Sequence, residues 1–249
     1  MAARFVVLAV LAAAWTGGNV AAAELKLLAS PGTRGVVSEL ARRFERETGH
    51  EVTGDFVVIA VIKRRLEAGE AFDVVIPGPD LLQDLVKQGK VAADANAPFG
   101  RTGVGLAVPK GAPKPDISTP ENLKRALLAT KAVGHSREGQ SGVGFRAALE
   151  KLGIADEMRP KLHTYEESGY VAALKSGEID MVASGMGPVL EMREVEVLGP
   201  LPAEVQSYVR FSIGVSSAAR DPAAARQLMR FLLSPQAAPV FRAKGMERD

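Results

Sequence analysis

The chain has 249 residues, with 31 lysines and arginines against 29 aspartates and glutamates, and no cysteine. Because the charges nearly balance and form no long basic run, the sequence argues against a nucleic-acid-binding protein. Without cysteine there are no disulfides, no thiolate nucleophile and no thiolate metal site. The length is sufficient for one large domain or two small ones.

The N-terminal segment has the pattern of a secretory signal peptide. Arg4 precedes an apolar run over residues 5–15, and the alanines at 21–23 offer a cleavage site of small residues. A membrane-spanning helix needs about 20 apolar residues, and neither this run nor any other stretch of the sequence is that long. We therefore predict that residues 1–23 are a signal peptide cleaved near Ala23 and that the mature protein is periplasmic.

From residue 24 onward, short apolar runs alternate with amphipathic helical patterns, which predicts an α/β fold with mostly parallel strands. The clearest helix follows a first strand at residues 25–28, because Val37, Leu40, Ala41 and Phe44 fall on one helical face. Residues 71–76 are apolar on both faces, which predicts a central strand. The other predicted strands cover residues 50–58, 104–108, 131–134, 179–183, 195–198 and 209–215.

Four loops share one composition, since each contains serine with glycine and leads into a predicted helix. They cover residues 30–35, 136–144, 168–169 and 184–187. Strand ends and helix N-termini of this kind favour an anion, because backbone N–H groups point out of the helix. The alternative interpretation is that these loops are ordinary caps and turns. Because the loops come from both halves of the chain, they predict a ligand held between two lobes.

Catalytic motifs are weak in this sequence. There is no G-x-S-x-G elbow, no H-E-x-x-H and no phosphate-binding P-loop. The histidines His50, His135 and His163 lack the spacing of metal ligands. A hydrolase or isomerase using His135 and a nearby serine is an alternative, although neighbours in an extended strand point to opposite faces. We predict no catalytic residue, no metal and no cofactor.

Several segments of the sequence resemble bacterial periplasmic solute-binding proteins of ABC transporters, in the family that includes the molybdate-binding receptors. The segments are residues 29–30, 44–52, 66–76, 85–91, 148–153, 177–180 and 231–237. The resemblance implies the type II periplasmic binding protein fold, in which two lobes, each a mostly parallel sheet flanked by helices, are joined by crossover strands. It further implies a membrane permease as partner. We place lobe I at residues 24–106 and 208–249 and lobe II at 107–207, and we expect a monomer.

The resemblance identifies the ligand less well than the fold. Residues 57–61 hold no hydroxyl where the family has a glycine- and serine-rich loop, and Ser184 stands in the strand end where molybdate binders carry a tyrosine. An apolar wall facing arginines suits a small organic carboxylate, and molybdate or tungstate is the alternative. The predicted ligand-binding residues are Ser30, Thr33, Arg34, Val58, Ile59, Ala60, Ser136, Arg137, Gln140, Ser141, Ser168, Gly169, Tyr170 and Ser184.

Overall fold

The computed structural model describes residues 22–137, 139–165 and 169–248. The predicted signal peptide lies outside these residues except for its last two alanines. The strands are Glu24–Ala29 (β1), Glu51–Phe56 (β2), Val74–Ile76 (β3), Val91–Pro109 (β4), Val133–His135 (β5), Leu162–Thr164 (β6), Met181–Gly185 (β7), Val195–Pro200 (β8), Tyr208–Ser216 (β9) and Met246–Glu247 (β10). The helices are Arg34–Thr48 (α1), Ile59–Glu67 (α2), Pro79–Lys87 (α3), Pro120–Ala129 (α4), Gln140–Lys151 (α5), Ala155–Met158 (α6), Tyr170–Ser176 (α7), Met186–Glu191 (α8), Pro222–Leu232 (α9) and Ala238–Ala243 (α10).

The first strand and helix form where the sequence predicts them. The predicted apolar face of α1 is buried against β1, and Phe44 is fully buried. The helix ends at Gly49, whose φ of 75° lies in the left-handed region that glycine adopts without steric cost. This pairing of strand and helix fixes the position of the loop between them, which begins at Ser30.

The ten strands form a mixed sheet in the order β2-β1-β3-β9-β4-β7-β5-β6, with β8 and β10 also paired to β4. Strands β1, β2 and β3 are mutually parallel, and so are β5, β6 and β7. The antiparallel strands β4 and β9 join the two parallel sets. The structure therefore has the α/β architecture with two lobes and crossover strands that the sequence predicts.

The directions of the strands place both sets of strand ends at one cleft. Strand β9 is antiparallel to both β3 and β4, so β4 runs in the same direction as β3 while it passes from lobe I into lobe II. Strand β7 runs against β4, toward lobe I. The carboxyl ends of the two parallel sets consequently face each other, at the position where ligands bind in open α/β sheets.

Strand β4 is much longer than the predicted strand at residues 104–108, because it begins at Val91. Up to Gly103 it pairs with β9, and from Val104 it pairs with β7 and β8. Near this change of partner, the Gln206 side-chain amide donates to the Val104 carbonyl oxygen at 3.0 Å and accepts from the Val104 N–H at 2.8 Å. The lobe boundary at residues 106 and 107 stays a prediction.

Each lobe has apolar cores on both faces of its sheet. In lobe I, α1 and α9 cover one face and α2 and α3 cover the other. In lobe II, α4 and α5 pack on one face, while α7 packs on the other. Because both lobes have cores of their own, the loops at the facing strand ends rest on rigid supports.

Candidate functional site

A cleft of about 860 Å³ lies between the two lobes. Its volume falls within the usual range of about 300 to 1,000 Å³ for small-molecule sites. The lining residues come from both lobes and from the strands between them: Ser30, Pro31, Gly32, Val58, Ile59, Ala60, Thr102, Gly103, Ser136, Arg137, Gly139, Gln140, Ser141, Thr164, Tyr165, Tyr170, Ser184, Gly185, Pro188, Val209 and Phe211.

On the lobe I side, the loop after β1 presents Ser30 at the end of a buried strand. The Ser30 N–H donates to the carbonyl oxygen of Ile76 at 2.9 Å, which ties the loop to β3. The residue is only 2% exposed, and its hydroxyl oxygen is buried with no hydrogen-bond partner among the residues described. A buried hydroxyl without a partner is costly, so its position at the cleft suits a donor to a ligand.

Most of the remaining lobe I wall is apolar. Val58 is 57% exposed, and Ile59 and Ala60 follow it at the N-terminus of α2. Val209 and Phe211 of β9 extend the lining beside them. A Cβ atom at Gly32 would lie 2.9 Å from Cζ of Phe211, so glycine permits this close contact. This wall offers carbon surface to a ligand.

On the lobe II side, the loop after β5 presents Ser136 and Arg137, and the first turn of α5 presents Gln140 and Ser141. Arg137 is the charged residue of the lining among those the structure describes. Its Nη2 atom donates to Oγ1 of Thr164 at the end of β6, at 3.0 Å. The positive side chain and the N-terminus of α5 together make this wall attractive to an anion.

His135 ends β5 but does not form a catalytic pair with serine. It is 2% exposed, and its Nδ1 atom lies 2.8 Å from the carbonyl oxygen of Ser136, an arrangement that assigns the ring proton to Nδ1. Burial lowers its pKa, and the nearby Arg146 charge lowers it further, against the opposing effect of the Ser136 carbonyl. Within the described part of the chain, His135 has no hydrogen bond to a serine hydroxyl.

Two tyrosines stand beside the end of β7. Tyr165 and Tyr170 have ring centroids 6.1 Å apart in an edge-on arrangement, and both line the cleft with Ser184. Burial raises the pKa of Tyr165 to about 12, and the Glu178 carboxylate nearby raises it as well. The Tyr165 hydroxyl consequently stays protonated at neutral pH.

A sequence profile described as bacterial extracellular solute-binding protein matches residues 25–247. The chain belongs to this family. Proteins of this family are periplasmic receptors that bind a small solute and deliver it to the membrane permease of an ABC transporter. This membership confirms the family that the sequence segments predict.

Two curated relatives align over nearly the whole receptor. An aconitate isomerase from a Pseudomonas species is 28% identical over 231 residues, which are 90% of this chain and 87% of that protein. The molybdate-binding protein ModA of Escherichia coli (strain K12) is 26% identical over 236 residues, which are 92% of this chain and 91% of that protein.

Solved structures share the fold of the receptor at low sequence identity. The periplasmic molybdate-binding protein of Azotobacter vinelandii has a TM-score of 0.72 and 16% identity, covering 90% of this chain and 99% of that chain. PEB3 of Campylobacter jejuni, with L-phospholactate bound, has a TM-score of 0.67 and 12% identity, covering 90% of this chain and 100% of that chain. These likenesses show the two-lobed binding-protein fold.

The structure brings ten of the predicted ligand-binding residues of the receptor to the cleft. They are Ser30, Val58, Ile59, Ala60, Ser136, Arg137, Gln140, Ser141, Tyr170 and Ser184. Their contact with a ligand stays a prediction. Ser168 lies outside the described residues, and Gly169 is not part of the lining.

Two predicted donors from the first loop point elsewhere. Thr33 is fully buried, and its hydroxyl donates to the carbonyl oxygen of Ser30 at 2.8 Å, so it holds the turn together. The Arg34 guanidinium lies 4.7 Å from the ring centroid of Phe56 and donates to the Phe56 carbonyl oxygen at 3.5 Å. Neither Thr33 nor Arg34 is part of the cleft lining, and both make other contacts, so their role as ligand donors stays a prediction.

Sequence reasoning missed the lining residues of the crossover strands. Thr102 and Gly103 lie on β4, and Val209 and Phe211 lie on β9. Val209 and Phe211 are two residues apart, which places both side chains on one face of β9. This spacing is the sequence signal that could have identified them. Which face meets the ligand depends on pairing with β4, and a single strand's sequence does not specify that pairing.

No helix among the described residues is long and apolar enough to cross a membrane. In the same part of the chain, histidines and carboxylates do not form any group of three or more that could hold a metal ion.

Proposed function

We propose that this receptor captures small organic carboxylate anions in the cleft and presents them, as a monomer, to its permease. The observation that carries the proposal is the contrast between the two walls. Arg137 and the N-terminus of α5 stand on lobe II, opposite the apolar side chains of residues 58–60 on lobe I. A ligand with an acid group and a carbon skeleton complements both walls.

The charge of the lining favours an anion. Arg137 has no acidic partner in the described part of the chain, and the described lining residues include no carboxylate. A guanidinium binds a planar carboxylate through two parallel hydrogen bonds. The hydroxyls of Ser136 and Ser141 on the same wall add donors for the remaining oxygen lone pairs.

The apolar surface and the size of the cleft favour a ligand with a carbon skeleton. Apolar side chains of Val58, Val209 and Phe211 line the cleft. A tetrahedral oxyanion can contact them only with its oxygen atoms. The cleft of about 860 Å³ also has room for a ligand larger than such an ion. Burying apolar surface contributes about 25 cal/mol per Å², so an organic ligand gains free energy on this wall that molybdate does not.

The names of the relatives support both kinds of anion. Aconitate, in the name of the Pseudomonas relative, is an organic acid with three carboxyl groups, whereas the Escherichia coli relative is named for molybdate. At 28% and 26% identity, neither name decides the ligand of this chain. The two walls of the cleft lead us to favour the organic acid.

The isomerase relative also suggests a second candidate function. A proton-transfer route for the isomerisation of aconitate removes a proton from carbon and returns it, so it needs a general acid or base within reach of the substrate. His135 is buried, its Nδ1 is bonded to the Ser136 carbonyl, and it does not line the cleft. We propose binding without turnover. Proton NMR of cis-aconitate incubated with the protein tests this, and appearance of trans-aconitate would establish the isomerase.

A thermal-shift panel on the mature protein tests the ligand class. The panel contains cis-aconitate, trans-aconitate and citrate as carboxylates, with molybdate, tungstate and sulfate as oxyanions. A ligand at 100 times its dissociation constant stabilises the folded state by about 2.7 kcal/mol, which is a readily measured shift. We expect stabilisation by at least one carboxylate and none by molybdate. Stabilisation by molybdate alone would overturn the proposal.

A further inference from the structure

Arg146 lies behind the cationic wall of the cleft without lining the cleft itself. It projects from α5 back to the loop after β5. Its Nη2 atom donates to the carbonyl oxygen of Arg137 at 3.0 Å, and its Nη1 atom donates to the carbonyl oxygen of Ser136 at 3.4 Å. No carboxylate of the described chain pairs with it. Its Nη1 atom also lies 3.4 Å from Nδ1 of His135, so the guanidinium is committed to the backbone and the histidine ring at the end of β5.

The Ser136 carbonyl is held closely from several directions. It accepts a hydrogen bond from Nδ1 of His135 at 2.8 Å in addition to the one from Arg146. A Cβ atom at Gly142 would lie 1.8 Å from this carbonyl oxygen, so only glycine permits the approach of the loop to α5. The main chain at Ser136 and Arg137 is thus held in place by Arg146 and Gly142 of α5.

We propose that Arg146 is a positioning residue that sets the anion affinity of the cleft by fixing the backbone of Ser136 and Arg137. The inference rests on the proposed function, because the affinity concerned is that for an anion held by Arg137. The Arg137 guanidinium has a second anchor, Thr164 Oγ1, at 3.0 Å. With the carbonyl held by Arg146 and the guanidinium by Thr164, Arg137 is held at both ends before the ligand arrives, and binding loses less conformational entropy.

A structural brace for lobe II is the competing explanation, and it predicts different behaviour. If Arg146 only stabilised the lobe, its loss would lower the unfolding temperature without depending on Arg137. If it acts through Arg137, its effect on binding must disappear once Arg137 is removed. A double-mutant cycle separates these cases, because residues that act through one another give non-additive changes.

The cycle uses the wild type, Arg146→Met, Arg137→Gln and the double variant, titrated by calorimetry with trans-aconitate, citrate and molybdate. We expect Arg146→Met to weaken binding of the preferred anion about tenfold in the wild type but less than about twofold in the Arg137→Gln background. Arg146→Lys retains the charge but not the two-pronged donor geometry, and we expect it to recover only part of the affinity. Arg125→Met is the matched control, because Arg125 donates to the exposed Asn122 side chain of α4 and does not line the cleft.

A second measurement needs no ligand. Hydrogen exchange of the free protein should become about tenfold faster in the peptide containing Ser136 and Arg137 in Arg146→Met, and stay unchanged in Arg125→Met. Unchanged exchange at that peptide, or additive effects in the cycle, would overturn the inference. If no anion of the panel binds the wild type, the proposed function and the affinity role both fail, while the exchange data still decide whether Arg146 fixes this backbone.

Discussion

The two walls of the cleft are built on similar strand ends but offer different chemistry. On lobe I, the loop after β1 contributes the Ser30 hydroxyl, and α2 begins with apolar Val58, Ile59 and Ala60. On lobe II, the loop after β5 contributes Arg137, and α5 begins with Gln140 and Ser141. The same secondary structure therefore supplies carbon surface on one side and charge on the other.

Under the proposed function, this difference divides the binding task between the lobes. A charge attracts any small anion, so lobe II alone would distinguish poorly among solutes. An apolar wall attracts carbon skeletons and leaves the oxygens of a bare oxyanion without partners, so under the proposed function lobe I would select among the anions. Specificity then requires closure of both lobes on one ligand.

The largest effect is expected at Gly142, which tests whether the charged wall depends on its close contact with α5. A methyl group in Gly142→Ala would lie 1.8 Å from the Ser136 carbonyl oxygen, a backbone atom that cannot move alone. We expect a loss of about 1 to 3 kcal/mol in unfolding free energy, as for other overpacked sites, measured by chemical denaturation. Anion binding should fall below detection.

Gly144→Ala is the matched control on the same helix. Its added methyl would meet Ser207 Cβ at 3.1 Å and Val104 Cγ2 at 3.2 Å, and these side-chain atoms shift more easily. Equal losses of binding in the two variants would show that the helix as a whole, and not the contact with Ser136, is responsible.

The next effect concerns the charge itself. Arg137→Gln keeps a polar side chain but removes the guanidinium, and we expect about 2 kcal/mol of binding free energy to be lost. Binding by the wild type should weaken with added salt, and the variant should lose most of that dependence. Arg34→Gln is the control, since Arg34 lies over Phe56 outside the cleft, and it should change affinity less than about twofold. A larger effect of Arg34→Gln would place the anion-binding charge on lobe I.

How much of this site the sequence predicts depends on how local each feature is. Strand β1 and helix α1 follow from the apolar spacing of their own residues, so the position of Ser30 was predictable. The contacts of Thr33 and Arg34 were not, because they depend on the turn at Pro31–Thr33 and on Phe56 of the neighbouring strand.

Strand pairing over long sequence distances explains why the sequence analysis predicted β4 too short and missed its lining residues. Strand β4 contains Pro98, Gly100 and Gly103, residues that sequence rules assign to turns, and its ladder with β9 shifts register twice. Pairing with partners more than a hundred residues away makes it a continuous strand. The contribution of Arg146 has the same origin, because a hydrogen bond to a backbone carbonyl leaves no signature in composition.

A smaller effect tests the Ser30 hydroxyl of the lobe I wall. The Ser30 hydroxyl has no partner among the described residues, so Ser30→Ala should weaken anion binding by about 1 kcal/mol without lowering the stability of the free protein. Thr33→Val removes the hydrogen bond to the Ser30 carbonyl and should instead lower the unfolding free energy by about 1 kcal/mol. Calorimetry and thermal denaturation measure the two quantities. Unchanged binding in Ser30→Ala would remove that hydroxyl from the site.

The smallest effect concerns the acid stability of lobe II at the start of β5 and β7, the strand ends away from the charged wall. Burial acts to raise the pKa of Asp180. Three hydrogen bonds nevertheless hold this pKa below its usual value of 3.8, and they come from Thr130 Oγ1 at 2.6 Å and from the N–H groups of Lys131 and Ala132. A lowered pKa contributes stability above the unfolded value, and this contribution is lost as the pH falls through the folded value. Asp180→Asn should therefore flatten the loss of unfolding free energy below about pH 4. A steeper acid loss in the variant would contradict this account.

A crystal structure of the protein with the carboxylate preferred in the thermal-shift panel tests the central claim most directly. We expect two carboxylate oxygens within hydrogen-bond distance of the Arg137 guanidinium, and the carbon skeleton against Val58, Ile59 and Ala60, with both lobes closed on the ligand. A ligand bound through lobe I alone, with Arg137 facing solvent, would contradict the assignment of charge recognition to lobe II.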